Sequence, residues 1–340
     1  MFADVFDETF VFSIDMRARF RNIEHREGML VRRGDLWSEW SPFLEYPDEE
    51  AATWLRAALE DCAAGQAPSA PADDLVDDVP VHRNRMPVNV TVPVVSPRRA
   101  ADLVRASGCR TAKVKVADPN SCLSDDLARL ASVRGALGPE GNLRVDANGA
   151  WTVDHAEHVL EAMAGFDLQY VEQPCASVEE LAELRERLSN ADTPVAIAAD
   201  ESIRLADDPD RVAELGAADV IVLKNQPLGG RRRCVEIAER LGMSAVISSA
   251  LETSIGIWAG LRAAAALPSL DLACGLNTVK LLADDVVEQP LIATDGYLDL
   301  GERPQPSAKA LKKVKADAHR QTWWHDRLDR CLELVMAEQR

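Results

Sequence analysis

Six side chains in the middle of the chain have the types and the spacing to do chemistry. They are Lys113 and Lys115 in "TAKVKV", Asp146 in "RVDANGAW", Glu172 in "VEQP", Asp200 in "AADES" and Lys224 in "VLKNQP". From Lys115 onward the intervals are 31, 26, 28 and 24 residues. Each is about one strand plus one helix, so the residues recur at an equivalent level of successive strands. Three carboxylates brought together this way repel, and burying them unpaired costs roughly several kcal/mol apiece. Something positive must sit among them. All-oxygen donors without His or Cys suit a hard divalent cation, Mg²⁺ with Mn²⁺ able to substitute, completed by water and substrate oxygens. The other way to neutralise the acids is a salt-bridge network with the three lysines. A lysine beside a cation and a second ammonium has a lowered pKa and can act as a base. With lysines on both faces of a bound substrate, the set suits proton abstraction next to a carboxylate, the cation stabilising the enolate.

Strand alternation extends the candidate site. Residues two apart share a side, so Lys113 and Lys115 point the same way, and Arg144 and Asn148 share the parity of Asp146. Arg144 and Asn148 are therefore read as substrate contacts or supports of the ligand between them. Glu201 adjoins Asp200 and is expected to point away and brace it from behind. Ser248 and Ser249 close the seventh strand candidate; contact with substrate and simple turn capping are both open to them.

The elements that must position these residues alternate regularly. Eight short β-branched runs begin at "VNVTVPVV" (88–95) and end at "DLACGLN" (271–277), separated by seven helical stretches whose apolar residues recur at three and four. Continuous apolar strands alternating with helices imply a parallel sheet covered by helices. Eight such strands over about 200 residues fit a closed β/α barrel better than an open doubly wound sheet. No GxGxxG follows the first strand, which weakens a dinucleotide-binding reading. The fold class expected is α/β: a barrel of modified TIM type, (β/α)7β, over 86–300. Residues 1–85 lack this rhythm. "VFSIDM" and "GMLVRRGDLWSEW" alternate like an antiparallel sheet, "DEEAATWLRAALEDCA" is an amphipathic helix and "GQAPSAPADD" (65–74) is a connector. They predict an α+β capping domain, completed by a tail (301–340) that carries "RQTWWHDRLDRCLELV".

Bulk properties narrow the partners. The 340 residues are 47% hydrophobic and 28% charged, an ordinary globular mix with material for a large core. A net charge of −18 argues against nucleic acid or an anionic membrane as partner. Seven cysteines without a CxxC pair argue against a disulfide framework or a zinc site. The N-terminal run carries acids and no basic segment, so no signal peptide is read there, and no apolar stretch approaches the ~20 residues of a membrane span. A cytoplasmic enzyme with a small-molecule substrate, monomeric or a small homo-oligomer, is expected.

In their order, "TAKVKV", "RVDANGAW", "EQP", "ADES" and "VLKNQPLGG" resemble the muconate-lactonizing subgroup of the enolase superfamily. The resemblance spans essentially the whole chain. Such sites pair a lysine base with one or two Mg²⁺. Within the subgroup, "RTAKVKVADP", "VEQPCASVEELAELR", "VISSALETSIGIWAGLRAAAALP" and "RQTWW" resemble the short-chain dehydratases of the menaquinone pathway. Those remove water from 2-succinyl-6-hydroxy-2,4-cyclohexadiene-1-carboxylate. The resemblance implies that Asp146, Glu172 and Asp200 hold Mg²⁺ and that Lys115 is the base and also protonates the departing hydroxide. It implies further that Lys224 stabilises charge from the opposite face, that Lys113 tunes Lys115 and meets the substrate carboxylate, and that Ser248 and Ser249 meet the succinyl tail. Segments 17–27 and 38–46 resemble mobile loops that close over the mouth, with Arg19 or Arg21 as a candidate carboxylate contact. Ser38 stands where relatives usually carry glycine, and the amides Asn225 and Gln226 follow Lys224; both differences fall where substrate shape is read. Sister activities stay open: an N-acylamino-acid racemase or a muconate cycloisomerase. A dipeptide epimerase usually carries DxD where this chain has "CGLN". A non-catalytic metal-binding barrel is the reading from another class.

Overall fold

The computed structural model describes residues 5–20, 23–63, 79–190, 194–205 and 209–338. The connector 65–74 and Arg21 lie outside these, as does the side chain of Arg19. Alternating apolar positions near the N-terminus form an antiparallel sheet of β1 (Glu8–Phe20), β2 (Ile23–Arg33) and β3 (Leu36–Trp40), backed by α1 (Asp48–Ala63). Residues 17–20 and 23–27 thus belong to the paired strands β1 and β2, with Phe20 opposite Ile23, where a loop was expected.

After the short β4 (Arg85–Pro87), strand and helix alternate: β5 (Val90–Val92), α2 (Pro97–Ser107), β6 (Thr111–Lys115), α3 (Leu123–Leu137), β7 (Asn142–Asp146), α4 (Val153–Met163), β8 (Leu168–Glu172), α5 (Val178–Ser189) and β9 (Ile197–Ala199). The rhythm continues through the short α6 (Glu201–Arg204) and α7 (Asp210–Glu214) to β10 (Val220–Leu223), α8 (Arg231–Leu241), β11 (Ser244–Ile247) and α9 (Ser254–Ala266). Strands β5 to β11 make one parallel sheet in sequential order. Outward residues such as Ala112, Val114, Leu143, Val145 and Val171 pack under the helices. Tyr170, Ala198, Val222 and Val246 fill the interior. β5 is shorter than the run 88–95 because Pro93 has no N–H for the ladder.

The eighth run does not form an extended strand. It closes the barrel through single bridges: Cys274 N–H donates to Pro87 O at 2.7 Å, Asn89 N–H to Cys274 O at 2.9 Å and Gly275 N–H to Ile247 O at 2.8 Å. A Cβ on Gly275 would stand 3.0 Å from Ser248 Cβ and 3.3 Å from its Cα, so glycine eases this close approach. The fold is the expected (β/α)7β barrel with its last member reduced to a seam.

Past β12 (Tyr297–Asp299) and α10 (Ala308–Val314), the chain returns to the cap as α11 (Ala318–Glu338). Trp324, Leu328, Cys331 and Leu332 of α11 share one buried cluster with Trp40, Trp54 and Leu55. Trp324 meets Trp40 edge-on, ring centroids 5.3 Å apart, and donates its indole N–H to Glu27 at 3.0 Å. Trp324→Ala is expected to cost about 3–5 kcal/mol, read as a lower urea midpoint with an unchanged slope. An unchanged midpoint would show that the tail does not complete the cap.

Candidate active site

Strand register sets the level of the charged residues. Lys115 lies beside Asp146 and Asp146 beside Glu172 across β6, β7 and β8, at the C-terminal end of each strand. Asp200 and Lys224 follow the last residues of β9 and β10 at the same mouth. Lys113 Nζ is 2.5 Å from Glu172 Oε1 and 3.2 Å from Asp146 Oδ2; Lys115 Nζ is 2.5 Å from Asp146 Oδ2 and 2.7 Å from Asn148 Oδ1. Lys224 Nζ is 2.5 Å from Asp200 Oδ2. The three carboxylates are each 1% exposed, so these charges act on one another with little water between them. Burial lowers the pKa of Lys115, and the Lys113 ammonium adds to the effect against the pull of Asp146. Burial also acts against Lys113, but Glu172 and Asp146 outweigh it and hold that ammonium charged. Glu172 is pushed up to about 8, first by burial and then by the Asp146 charge.

The pocket above this floor is lined by Lys113, Lys115, Lys224, Asp146 and Asn148, by Thr91, Ser248, Ser249, Ala250, Leu251 and Thr278 of the barrel, and by Phe20 and Phe43 of the cap. The phenyl ring of Phe20 lies 5.3 Å from Lys115 Nζ. Size alone does not single this site out: a cleft of about 680 Å³ lies between Arg17, the segment 279–292 and α10, without the facing lysines and buried carboxylates found here.

Two assignments read from strand parity need correction, Arg144 as a substrate contact and the direction of Glu201, while Asn148 reaches the pocket as expected but by another route. Arg144 shares the inward parity of Asp146 but sits one layer deeper, since two residues along a strand cover about 6.6 Å. It donates to Gln169 Oε1 at 2.7 Å and Ala273 O at 2.7 Å, stacks over Tyr170 and does not line the pocket. Asn148 lies beyond β7, so parity no longer applies; a left-handed φ of +48° turns it toward Lys115. Glu201 begins α6, and the helical turn swings it beside Asn148 Nδ2 at 3.3 Å and Arg204 Nη2 at 2.8 Å, where the strand pattern had it pointing away. Ser248 and Ser249 both line the pocket, and the Ser249 hydroxyl pairs with Thr278 at 2.6 Å. Gln226 and Ser38 do not read substrate shape directly. Gln226 Oε1 accepts the Ser41 N–H at 3.0 Å, and Ser38 is buried beside Asp61.

Gln173 went unnoticed as a structural tie. Fully buried, it accepts the Asp200 N–H at 3.0 Å and donates to Ser202 Oγ at 2.7 Å, linking the ends of β8 and β9. The motif "EQP" carried it in plain view.

The profile described as enolase C-terminal domain-like matches residues 96–304, and that described as enolase N-terminal domain-like matches 11–62. An o-succinylbenzoate synthase of Thermobifida fusca is 50% identical over 306 residues, covering 90% of this chain and 91% of its own. That of Mycobacterium marinum is 47% identical over 334 residues, covering 98% and 95%. The chain belongs to the o-succinylbenzoate synthase family of the enolase superfamily. Among solved structures, the muconate lactonizing enzyme of Pseudomonas fluorescens superimposes with a TM-score of 0.73 at 21% identity, over 91% of this chain and 98% of its own, which speaks for the fold.

Membership of the enolase superfamily implies a Mg²⁺-dependent mechanism, and the donor set can be tested for fit. Among the described residues no three acids, thiols or imidazoles stand together as a ready-made cation site. The salt-bridge network is realised: each carboxylate is in contact with an ammonium. Yet Glu172 Oε2 is buried with no hydrogen-bond donor, a costly state for a carboxylate oxygen, and Asp200 Oδ1 is met only by Arg204 Nε in an ion pair at 3.3 Å outside hydrogen-bond geometry. An orphaned oxygen on Glu172 and an under-satisfied one on Asp200, in an all-carboxylate set, fit a hard cation.

Proposed function

We propose that this protein catalyses the Mg²⁺-dependent dehydration of 2-succinyl-6-hydroxy-2,4-cyclohexadiene-1-carboxylate to o-succinylbenzoate, a step of menaquinone biosynthesis. The observation that carries the reading is one pocket lined by Lys113, Lys115, Lys224 and Asp146, with Glu172 and Asp200 against the amino groups of Lys113 and Lys224, in a chain 44–50% identical to o-succinylbenzoate synthases over nearly all of its length. The same reading takes residues 86–300 as the barrel, and 1–85 with 301–340 as the cap.

Asp146, Glu172 and Asp200 would hold the cation, which when bound supplies Lewis-acid stabilisation of negative charge developing on the substrate carboxylate. Lys115 has the position and the lowered pKa of a base. Its neutral amine takes the proton from the carbon next to the carboxylate, and the electron pair of that C–H bond is left in the ring. The C–O bond to the neighbouring hydroxyl then breaks, the new ammonium of Lys115 protonates the departing hydroxide, and water leaves with the ring aromatic. Base and acid are one nitrogen, so the elimination is syn. Lys224 on the other wall stabilises the developing charge, and Lys113 meets the substrate carboxylate while its charge favours proton loss from Lys115. Asn148 holds Lys115 in line through its 2.7 Å contact, and Ser248 and Ser249 receive the succinyl tail.

A lysine on each face also permits racemization of an N-succinylamino acid. Purified protein with Mg²⁺ is assayed in parallel for loss of the cyclohexadiene absorbance and for the optical rotation of an N-succinylamino acid. Fast dehydration with little racemization is expected. Racemization without dehydration would leave the scaffold and overturn the substrate.

A further inference from the structure

Two buried charged residues of the cap, Arg26 on β2 and Glu39 on β3, take no part in the chemistry above, and each is 2% exposed. Arg26 donates from Nε to Leu251 O at 3.2 Å and from Nη2 to Ala250 O at 3.2 Å, to Ser41 Oγ at 3.0 Å and to Ser41 O; its guanidinium lies 4.6 Å from the centre of the Phe43 ring. Ala250 and Leu251 line the substrate pocket from the barrel side and Phe43 from the cap side. One planar fork therefore holds both walls, a geometry that lysine cannot reproduce.

Glu39 takes up the next residues. Its carboxylate accepts the Thr253 N–H at 3.0 Å, the Thr253 hydroxyl, the Gly256 N–H at 3.2 Å and the Ser41 hydroxyl at 2.7 Å. It thus caps the N-terminus of the 13-residue α9 from another part of the fold. A Cβ at position 256 would stand 2.6 Å from Glu252 Cβ and 3.0 Å from Glu39 Oε2, so glycine there makes room for the acid. Leu251 adopts a left-handed φ of +65°, a conformation a leucine keeps only when its surroundings impose it. The side chains of Ala250 and Leu251 belong to the apolar core of the cap, not to that of the barrel.

We infer that Arg26 and Glu39 are positioning residues through which the cap sets the shape of the substrate pocket, by clamping the wall 250–253 against Phe43. The inference rests on the reading that this pocket receives the substrate. The clamp leaves the metal ligands and the reacting lysines untouched, so it acts on substrate binding and not on the bond-breaking step. Arg26→Met is expected to raise KM for the dehydration and the Kd of o-succinylbenzoate by ~10-fold or more, with kcat within about 3-fold and Mg²⁺ affinity unchanged. Arg26→Lys keeps the buried charge and one carbonyl contact, and is expected to recover part of the loss. A purely structural role would lower the melting temperature or the active fraction and leave KM where it was, and that outcome overturns the inference. Should Arg26→Met fail to fold, Glu39→Gln decides: its amide nitrogen cannot accept, so it gives up either the Ser41 hydroxyl or the Thr253 and Gly256 donors, KM is expected to rise, and an unchanged KM overturns the clamp equally. A wild type that does not dehydrate would sink the functional reading instead, so the two failures are told apart by the control.

Discussion

Lys115→Ala is expected to reduce kcat by at least about 10³-fold, the largest effect anticipated for any single substitution. A positioned base or acid contributes roughly 10²–10⁴-fold, and here one nitrogen is assigned both tasks. The mutant should keep its fold by circular dichroism, because Lys113 still faces Asp146 at 3.2 Å and Glu172 at 2.5 Å. Mg²⁺ titration should remain close to wild type, since all three carboxylates are present. Lys115→Arg refines the test. It restores a charge beside Asp146, but a guanidinium stays protonated at any working pH, so activity should not return. Turnover near the wild-type rate in either mutant would remove Lys115 from the base role.

Asp200→Asn ranks second. An amide in place of this carboxylate removes one of three anionic donors, and Mg²⁺ affinity is expected to fall by about 10- to 100-fold, the range typical for loss of a partner in a metal site. Activity should drop in parallel and recover in part at high Mg²⁺. The same change deprives Lys224 of the carboxylate 2.5 Å away and Arg204 Nε of the oxygen 3.3 Å away. Two buried cations would then share less compensation, and a lower melting temperature should accompany the weaker metal binding. An unchanged Mg²⁺ titration would break the three-carboxylate assignment.

The shared level of the acids and lysines was legible because its cause is periodic. A β/α unit has nearly constant length, so acids and lysines one unit apart must land at neighbouring strand ends, and the register of Lys115, Asp146 and Glu172 is the physical form of that spacing. Strand parity predicts direction only inside a strand, and both Asn148 and Glu201 lie past the last paired residue; a left-handed turn still brings Asn148 to the pocket, whereas the start of α6 swings Glu201 away from its expected direction. Parity also says nothing about depth, which is why substrate contact stayed open for Arg144, a residue of the layer beneath the pocket. Arg26 and Glu39 could not be found by pattern: "EHREG" and "WSEWS" look like ordinary alternation, and the partners of Arg26 lie 224 and 225 residues away. A contact of that range leaves no local trace in sequence. The eighth strand was overestimated for a related reason, since its apolar run shows where the chain goes but not how few of its amides find a partner.

The tie between Glu27 and Trp324 joins residues 297 apart, with the whole barrel between them. At typical synthesis rates of ~5–20 residues per second, the first half of the cap waits on the order of 15–60 s on the ribosome for its last helix. Until α11 arrives, the apolar residues of α1 and the sheet that it covers, Trp54, Leu55 and Trp40 among them, lack that partner. The barrel can meanwhile fold on the strength of its sequential strand pairs. The lid over the pocket is therefore finished last, and a chain released before α11 would carry a complete set of acids and lysines under an unfinished roof.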